Sequence, residues 1–138
     1  PRPTWRGGAH GAICVATIRN RFRKGTNPLR VVNDQRGRPT YTPHLADAIV
    51  RLAQRAHEDE NARGIVHYAD EPECTWFDFA RAIVGERATV MPVSSDTFPR
   101  PAIRPAYSVL STERCERITG VKPQSWESGL RDYLERRV

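Results

Sequence analysis

Hydrophobic and polar positions change period several times along this chain, most clearly between residues 29 and 57. Leu29–Val32 is a short apolar run with two β-branched residues, which predicts a strand. Residues 33–40 then contain Asn, Asp, Gly and Pro, which favour an ordered loop. With Thr42 as the N-cap and Pro43 at the first helical position, apolar residues recur at helical spacing to about residue 57. The stretch therefore predicts a strand, a loop and a helix.

The rest of the chain predicts four more helices and two more strands. The helices are expected over 12–23, from a Thr75 cap with Asp78 three residues later to Gly85, from a Ser111 cap to Ile118, and over 126–134. The strands are expected over 65–68 and 90–93, and residues 98–105 are expected to form an extended, proline-rich arm. The aromatic residues Trp76 and Phe79 are assigned to the core.

The loop at 33–40 is a candidate binding element, because loops that follow strands in α/β folds often carry binding groups. It offers an amide at Gln35 and guanidinium groups at Arg36 and Arg38. The competing interpretation is a well-hydrogen-bonded turn, since Asn, Asp, Gly and Pro form turns wherever they occur. The spacing alone leaves both interpretations open.

Three other residues have both a structural and a functional interpretation. Trp5 can be a packing residue or a ring that stacks on a sugar or base. Arg104 lies in the constrained backbone of the arm, where its guanidinium suits either a diphosphate or a structural salt bridge. His67 is expected to be structural, because no second His, Cys or carboxylate lies at ligand spacing, and no metal site is predicted.

Composition narrows the class of protein. The 138 residues carry a formal charge of +6, but the basic residues are spread along the chain and no nucleic-acid-binding motif is present. The charge suits a nucleotide-sugar diphosphate as well as a nucleic acid, because Arg binds phosphates bidentately. The three cysteines are far apart, which favours reduced thiols in a cytoplasmic protein. We expect a soluble chain of one domain's size, without a signal peptide or membrane span.

Four motifs carry a resemblance to one enzyme family. They are Val-Val-Asn-Asp-Gln-x-Gly-x-Pro-Thr at 31–40, Gly-Ile-Val-His-Tyr-Ala at 64–69 with Thr-Trp-Phe-Asp-Phe-Ala at 75–80, Pro-Arg-Pro-Ala-Ile-Arg-Pro-Ala-Tyr-Ser-Val-Leu at 99–110, and Gly120 with 126–134. In this order and spacing the chain resembles the dTDP-4-dehydrorhamnose reductases, in their C-terminal, RmlD-like substrate-binding domain. The resemblance extends from about Arg2 to the C-terminus.

The resemblance implies an α/β fold, the C-terminal part of an extended short-chain dehydrogenase/reductase with a Rossmann-like fold. Residues 1–138 would supply the last sheet strands and a small mixed α/β substrate lobe, as a single substrate-binding part without the N-terminal dinucleotide-binding part. The complete enzyme would reduce dTDP-4-dehydro-L-rhamnose with NADPH or NADH, giving dTDP-L-rhamnose for cell-surface polysaccharide. The candidate substrate-binding residues are Trp5, Gln35 and Arg104, and a homodimer is left open.

The chain also departs from the family pattern. It has neither the Gly-x-x-Gly-x-x-Gly loop for the dinucleotide nor the Tyr-x-x-x-Lys pair for proton transfer. We therefore assign no catalytic or cofactor-binding residue and expect the chain alone to bind no cofactor and to be inactive. Ala12, Ile13 and Cys14 replace the aromatic and asparagine residues usual in the family. A non-catalytic regulatory module, similar to the regulatory beta subunit of methionine adenosyltransferase, is the alternative function, and nucleic-acid binding rests on charge alone.

Overall fold

A computed structural model describes residues 14–99 and 101–136, together with the backbone of residues 6 and 7. The strands are β1 (Arg6–Gly7), β2 (Leu29–Val32), β3 (Arg36–Gly37), β4 (Thr40–Tyr41), β5 (Cys74–Thr75) and β6 (Val90–Val93). The α-helices are α1 (Cys14–Arg23), α2 (Thr42–Glu58), α3 (Trp76–Val84), α4 (Glu113–Thr119) and α5 (Trp126–Glu135). Short 3-10 helices follow α2, α3 and β6 at Glu60–Ala62, Gly85–Arg87 and Ser95–Thr97. None of the described helices is long and apolar enough to span a membrane.

Within the described residues the strands form three pairs. β2 and β6 are parallel, with Leu29 opposite Val90 and Val32 opposite Val93. β1 and β4 are also parallel, whereas β3 and β5 are antiparallel. The strands predicted at 29–32 and 90–93 are confirmed. The mixture of helices with parallel strands confirms the predicted α/β class.

The core forms where α3 packs on β2 and β6, with α1 and α5 against it. The capping box of α3 is as predicted, since the Thr75 hydroxyl accepts from the Asp78 backbone N–H and the Asp78 carboxylate accepts from the Thr75 backbone N–H. This fixes the start of α3 and directs Phe79 and Ile83 inward, where both are buried. Phe79 meets the edge of Trp126 from α5, with ring centroids 5.5 Å apart.

The loop predicted over 33–40 is more regular than expected, because it contains β3 and the first residue of β4. Its carbonyl and amide groups find partners distant in sequence. The Arg36 backbone N–H donates to the Ala106 carbonyl at 2.8 Å, and the Ser108 N–H donates to the Arg36 carbonyl at 2.9 Å. The segment after residue 105 therefore adds to the pairing of β3.

The prediction of a strand over residues 65–68 is wrong. Residues 65–70 belong to no strand, and His67 is exposed. The Arg114 guanidinium from α4 donates to the Ile65 carbonyl at 2.8 Å and to the Arg63 carbonyl at 2.6 Å. These carbonyls are thus satisfied by a side chain, and backbone pairing begins only at Glu71, which bridges to Ser125.

Two predicted helix caps lie one residue away from their actual positions. Tyr41 is the N-cap of α2 in place of Thr42, and its backbone N–H donates to the Asp70 carboxylate at 2.9 Å. Thr112 is the N-cap of α4 in place of Ser111. Gly120 ends α4 in the left-handed conformation, as predicted.

Candidate functional site

A cleft of about 560 Å³ opens where β2 and β6 end. Both strands run in the same direction, so their carboxyl ends Val32 and Val93 lie at one edge of the pair. Ligands of α/β folds bind outside this edge. The volume is also in the range of small-molecule sites, roughly 300–1,000 Å³. The cleft is therefore the candidate binding site in the described part of the chain.

The loop after β2 is tied to both neighbouring elements. The Asn33 backbone N–H donates to the Val93 carbonyl at 3.0 Å, and its side-chain oxygen accepts from the Thr75 hydroxyl at 2.9 Å. The Asp34 carboxylate accepts from the Ser95 N–H at 2.8 Å and from the Ser95 hydroxyl at 2.6 Å. These bonds hold the pKa of Asp34 below its usual range, because they stabilise the charged carboxylate. The loop is thus fixed beside the exit of β6.

Gln35, between these anchored residues and β3, lines the cleft and is only 7% exposed. The two neighbouring arginines of the loop do not line it. Arg36 pairs with Glu73 at 2.9 Å, and Arg38 lies 3.3 Å from Glu71. Of the three polar side chains that the sequence offered in this loop, only Gln35 reaches the candidate site.

Arg104 also lines the cleft, on the exposed arm that follows residue 97. Its side chain makes no hydrogen bond or ion pair with the described residues, so the predicted salt-bridge alternative is not what the described structure shows. The structure therefore brings Gln35 and Arg104, 69 positions apart in the printed sequence, to one cleft. Trp5, the third predicted binding residue, lies outside the described residues.

Several cleft residues were not found from the sequence as binding candidates, and three of them have large polar or aromatic side chains. Arg21 comes from the last turn of α1, Arg30 from the middle of β2, and Trp76 from the start of α3. Trp76 was assigned to the core, and it does pack against the core, but it is half-buried and its remaining surface faces the cleft. A signal was available for Arg30, because a charged residue inside a short apolar strand must have an exposed side.

Cys14 lines the cleft from the first residue of α1. Burial raises the pKa of its thiol to about 12, because the charged thiolate is poorly solvated there. The thiol therefore stays protonated at neutral pH and is a packing group rather than a nucleophile. No cluster of His, Cys, Asp and Glu suited to a metal ion occurs among the residues that the structure describes.

Several curated proteins are similar to this chain in sequence. The spore coat polysaccharide biosynthesis protein SpsK of Bacillus subtilis is 35% identical over 99% of the chain and 46% of that protein. A dTDP-4-dehydrorhamnose reductase of Mycobacterium tuberculosis is 40% identical over 92% of the chain and 41% of that protein. The chain thus spans less than half the length of these relatives.

Two solved structures agree in fold. A dTDP-4-dehydrorhamnose reductase from Clostridium acetobutylicum superimposes with a TM-score of 0.85 at 34% identity, over 96% of this chain and 46% of that one. The enzyme from Bacillus anthracis, solved in complex with NADP, gives a TM-score of 0.80 at 31% identity, over the same shares of the two chains. These alignments confirm the predicted fold, the C-terminal part of such a reductase.

The match to a family model covers nearly the entire sequence. The model of the RmlD substrate binding domain aligns with residues 2–138. The motifs at 31–40, 64–80 and 99–110 all fall inside this range. On this match, and on the relatives and structures above, the chain belongs to the RmlD substrate-binding domain family.

Proposed function

We propose that this chain is the substrate-binding part of a dTDP-4-dehydrorhamnose reductase. It would hold dTDP-4-dehydro-L-rhamnose while the 4-keto group is reduced to give dTDP-L-rhamnose. The observation that carries the proposal is the meeting of Gln35 and Arg104 in one cleft, at the carboxyl ends of parallel strands. Membership of the RmlD substrate-binding domain family supports the choice of ligand class.

The chemistry of the cleft suits a nucleotide sugar. A guanidinium such as that of Arg104 binds the oxygens of a diphosphate with charge-assisted, bidentate hydrogen bonds. The Gln35 amide can both donate to and accept from a sugar or base, and its burial keeps it in place. Val31 and Trp76 add apolar walls that exclude water. The described residues can therefore bind and orient the substrate, which raises the rate through proximity.

In the proposed reaction, hydride transfer would use groups outside residues 1–138. The chain has no glycine-rich dinucleotide loop and no Tyr-x-x-x-Lys pair, so its residues do not fit NADPH or NADH as a cofactor site. We assign residues 1–138 to one substrate-binding part. The cofactor, NADPH or NADH, and the proton donor then belong to the remainder of the full-length protein. The role of the present residues is to bind the substrate and to hold its keto group in position.

Steady-state kinetics of the full-length protein with dTDP-4-dehydro-L-rhamnose would test this assignment. Arg104→Ala and Gln35→Ala are each expected to raise KM about tenfold, the effect of losing one hydrogen bond to a charged or buried group. Arg51→Ala is the matched control, because Arg51 lies on the exposed face of α2 and pairs only with Asp47 within its own helix. Its KM should equal that of the wild type.

The same assay separates the alternatives. Unchanged KM in both cleft variants would remove the two residues from the site. If the full-length protein shows no turnover with any dTDP-4-keto sugar but binds another protein tightly, the regulatory-module hypothesis is favoured instead. A salt titration against random DNA measures the contribution of charge alone, and we expect negligible binding at physiological salt.

A further inference from the structure

The arm that carries Arg104 is anchored at its two ends within the described chain. At one end, the Phe98 backbone N–H donates to the Ser95 carbonyl at 3.0 Å. At the other end, the Ala106 carbonyl accepts a backbone hydrogen bond from β3 at 2.8 Å. None of the described residues between Phe98 and Ala106 makes a hydrogen bond with the rest of the described chain. The position of Arg104 therefore depends on how firmly the second anchor, two residues away, is held.

One carboxylate reinforces this second anchor from a third segment. Glu73 lies just before β5, and its two oxygens accept from different partners. One oxygen accepts from Arg36 Nε on β3 at 2.9 Å, and the other accepts from the Tyr107 hydroxyl at 2.7 Å. Glu73 thus joins the residue that follows Gln35 to the residue three positions after Arg104. We call Glu73, Arg36 and Tyr107 the clasp.

The local structure explains why Glu73 reaches both partners. β3 and β5 are antiparallel, with Arg36 opposite Thr75, so Glu73 is the diagonal neighbour of Arg36 on the same face. Tyr107 forms a parallel bridge with Arg36 from the other side. The hydrogen bonds from Tyr107 and Arg36 hold the pKa of Glu73 below its usual range, because they stabilise the carboxylate. Glu73 is therefore charged at neutral pH and can accept both hydrogen bonds.

We propose that Glu73 is a positioning residue, which fixes the arm through Tyr107 and so holds Arg104 in place to bind the nucleotide sugar. The proposal rests on the proposed function and deepens it, because it names a residue outside the cleft on which binding depends. Glu73 does not line the cleft, so it acts through the arm. An arm without the clasp has to be ordered when the substrate binds, and the entropy lost in that step weakens binding.

Steady-state kinetics of the full-length protein with dTDP-4-dehydro-L-rhamnose test the clasp. Tyr107→Phe removes one hydroxyl and keeps the ring, and Glu73→Ala removes the carboxylate. Each is expected to raise KM about threefold, because partly exposed hydrogen bonds are lost, and to leave kcat unchanged, because the arm binds substrate without transferring a proton or hydride. Glu73→Gln should recover part of the loss, since its amide oxygen can still accept one of the two hydrogen bonds.

A double-mutant cycle with Arg104 separates a positioning role from a general structural one. If Glu73 acts through Arg104, Glu73→Ala should raise KM in the wild type but not in Arg104→Ala. A general loss of stability would raise KM in both backgrounds. Glu71→Ala is the matched control, because the Glu71 carboxylate lies on the same segment and pairs with Arg38 rather than with the arm. Its KM should equal that of the wild type.

Hydrogen–deuterium exchange gives a second readout, which does not require turnover. The Ser108 backbone N–H donates to the Arg36 carbonyl at 2.9 Å, directly after the arm. This amide should exchange faster in Glu73→Ala and Tyr107→Phe than in the wild type or in Glu71→Ala, because the second anchor opens more often without the clasp.

The outcomes separate the clasp from the proposed function. The clasp is wrong if the Ser108 N–H exchanges at the wild-type rate in both variants, or if both variants keep the wild-type KM. It is also wrong if Glu71→Ala has an equal effect, or if the effects of Glu73→Ala and Arg104→Ala on KM multiply. Any of these results in an enzyme whose KM depends on Arg104 leaves the reductase function standing. Faster exchange in a full-length protein that reduces no dTDP-4-keto sugar supports the clasp and contradicts the function.

Discussion

Asp70 is fully buried, and both of its carboxylate oxygens accept hydrogen bonds. One oxygen accepts from the Tyr41 backbone N–H and pairs with His44 Nδ1, each at 2.9 Å, and the other accepts from the Tyr68 hydroxyl at 3.0 Å. Burial raises the pKa of Tyr68, and the nearby Asp70 charge adds to the shift, so the phenol remains a donor. This carboxylate joins the start of α2 to the segment before β5.

Asp70→Asn should lower the free energy of unfolding by about 1–3 kcal/mol, because a neutral amide weakens hydrogen bonds that the buried charge now accepts. Urea unfolding followed by circular dichroism measures the change. Asp47→Asn is the control: Asp47 is half-exposed and pairs only with Arg51. Its effect should stay within about 0.5 kcal/mol. Equal effects of the two substitutions would contradict the role given to Asp70.

At the scale of elements, α5 packs closely on β4 at a glycine. A Cβ built on Gly129 would lie 2.6 Å from the Tyr41 Cβ and 2.9 Å from its Cγ. Tyr41 is itself buried, and its hydroxyl donates to the Asp132 carboxylate on the same helix. The ring therefore has little freedom to move away, and the approach of α5 requires the absence of a side chain at this position.

Gly129→Ala is expected to destabilise the fold by about 1–3 kcal/mol, the usual cost of overpacking, despite the better helix propensity of Ala. The melting temperature of the variant and its urea unfolding curve test this prediction. Arg131→Ala removes an exposed side chain from the same helix and should leave stability unchanged. A Gly129→Ala variant as stable as the wild type would show that α5 can shift away from β4.

At the scale of the whole molecule, two buried thiols contribute to a loss of stability at alkaline pH. Burial raises the pKa of both Cys14 and Cys74 from an ordinary 9.0 to about 12. Above about pH 9 the unfolded chain therefore loses protons that the folded chain keeps. The free energy of unfolding should fall as pH rises from 9 to 12. In a variant with both cysteines replaced by alanine, the free energy of unfolding should fall less between pH 9 and 12 than in the wild type. Urea titrations of both proteins at a series of pH values measure this difference.

At acid pH, the free energy of unfolding should fall because carboxylates with lowered pKa values become protonated. Hydrogen bonds from Ser95 lower the pKa of Asp34, and a hydrogen bond from Tyr41 lowers that of Asp132. Their contribution is complete above the ordinary carboxyl pKa near 4 and is lost as pH falls through the lowered values. Asp34 is exposed and Asp132 is partly exposed, so this decline should be shallow. At the other end of the pH range, a free energy of unfolding that does not change from pH 8 to 12 would contradict the prediction made for the thiols of Cys14 and Cys74.

Local features of the sequence were enough to predict several elements. The strands at 29–32 and 90–93 follow from short apolar runs, and the capping box of Thr75 and Asp78 forms between residues three positions apart. Gly120 ends α4 because it can adopt the left-handed conformation. The reductase motifs identified the family, and the family model and the solved structures confirm it. Each of these features depends on neighbours in sequence or on a linear motif.

Only the tertiary structure decided which side chains meet. Arg36 and Arg38 do not line the cleft, because they pair with Glu73 and Glu71 on a neighbouring segment, while Gln35, directly before Arg36, lines it. The Arg114 guanidinium donates hydrogen bonds to the carbonyls of Ile65 and Arg63, at the place where a strand was predicted. The sequence by itself determined the family, most of the helices and the turn chemistry, because these depend on short-range periodicity and hydrogen bonding. The composition of the cleft depends on contacts between residues tens of positions apart, which no local pattern encodes.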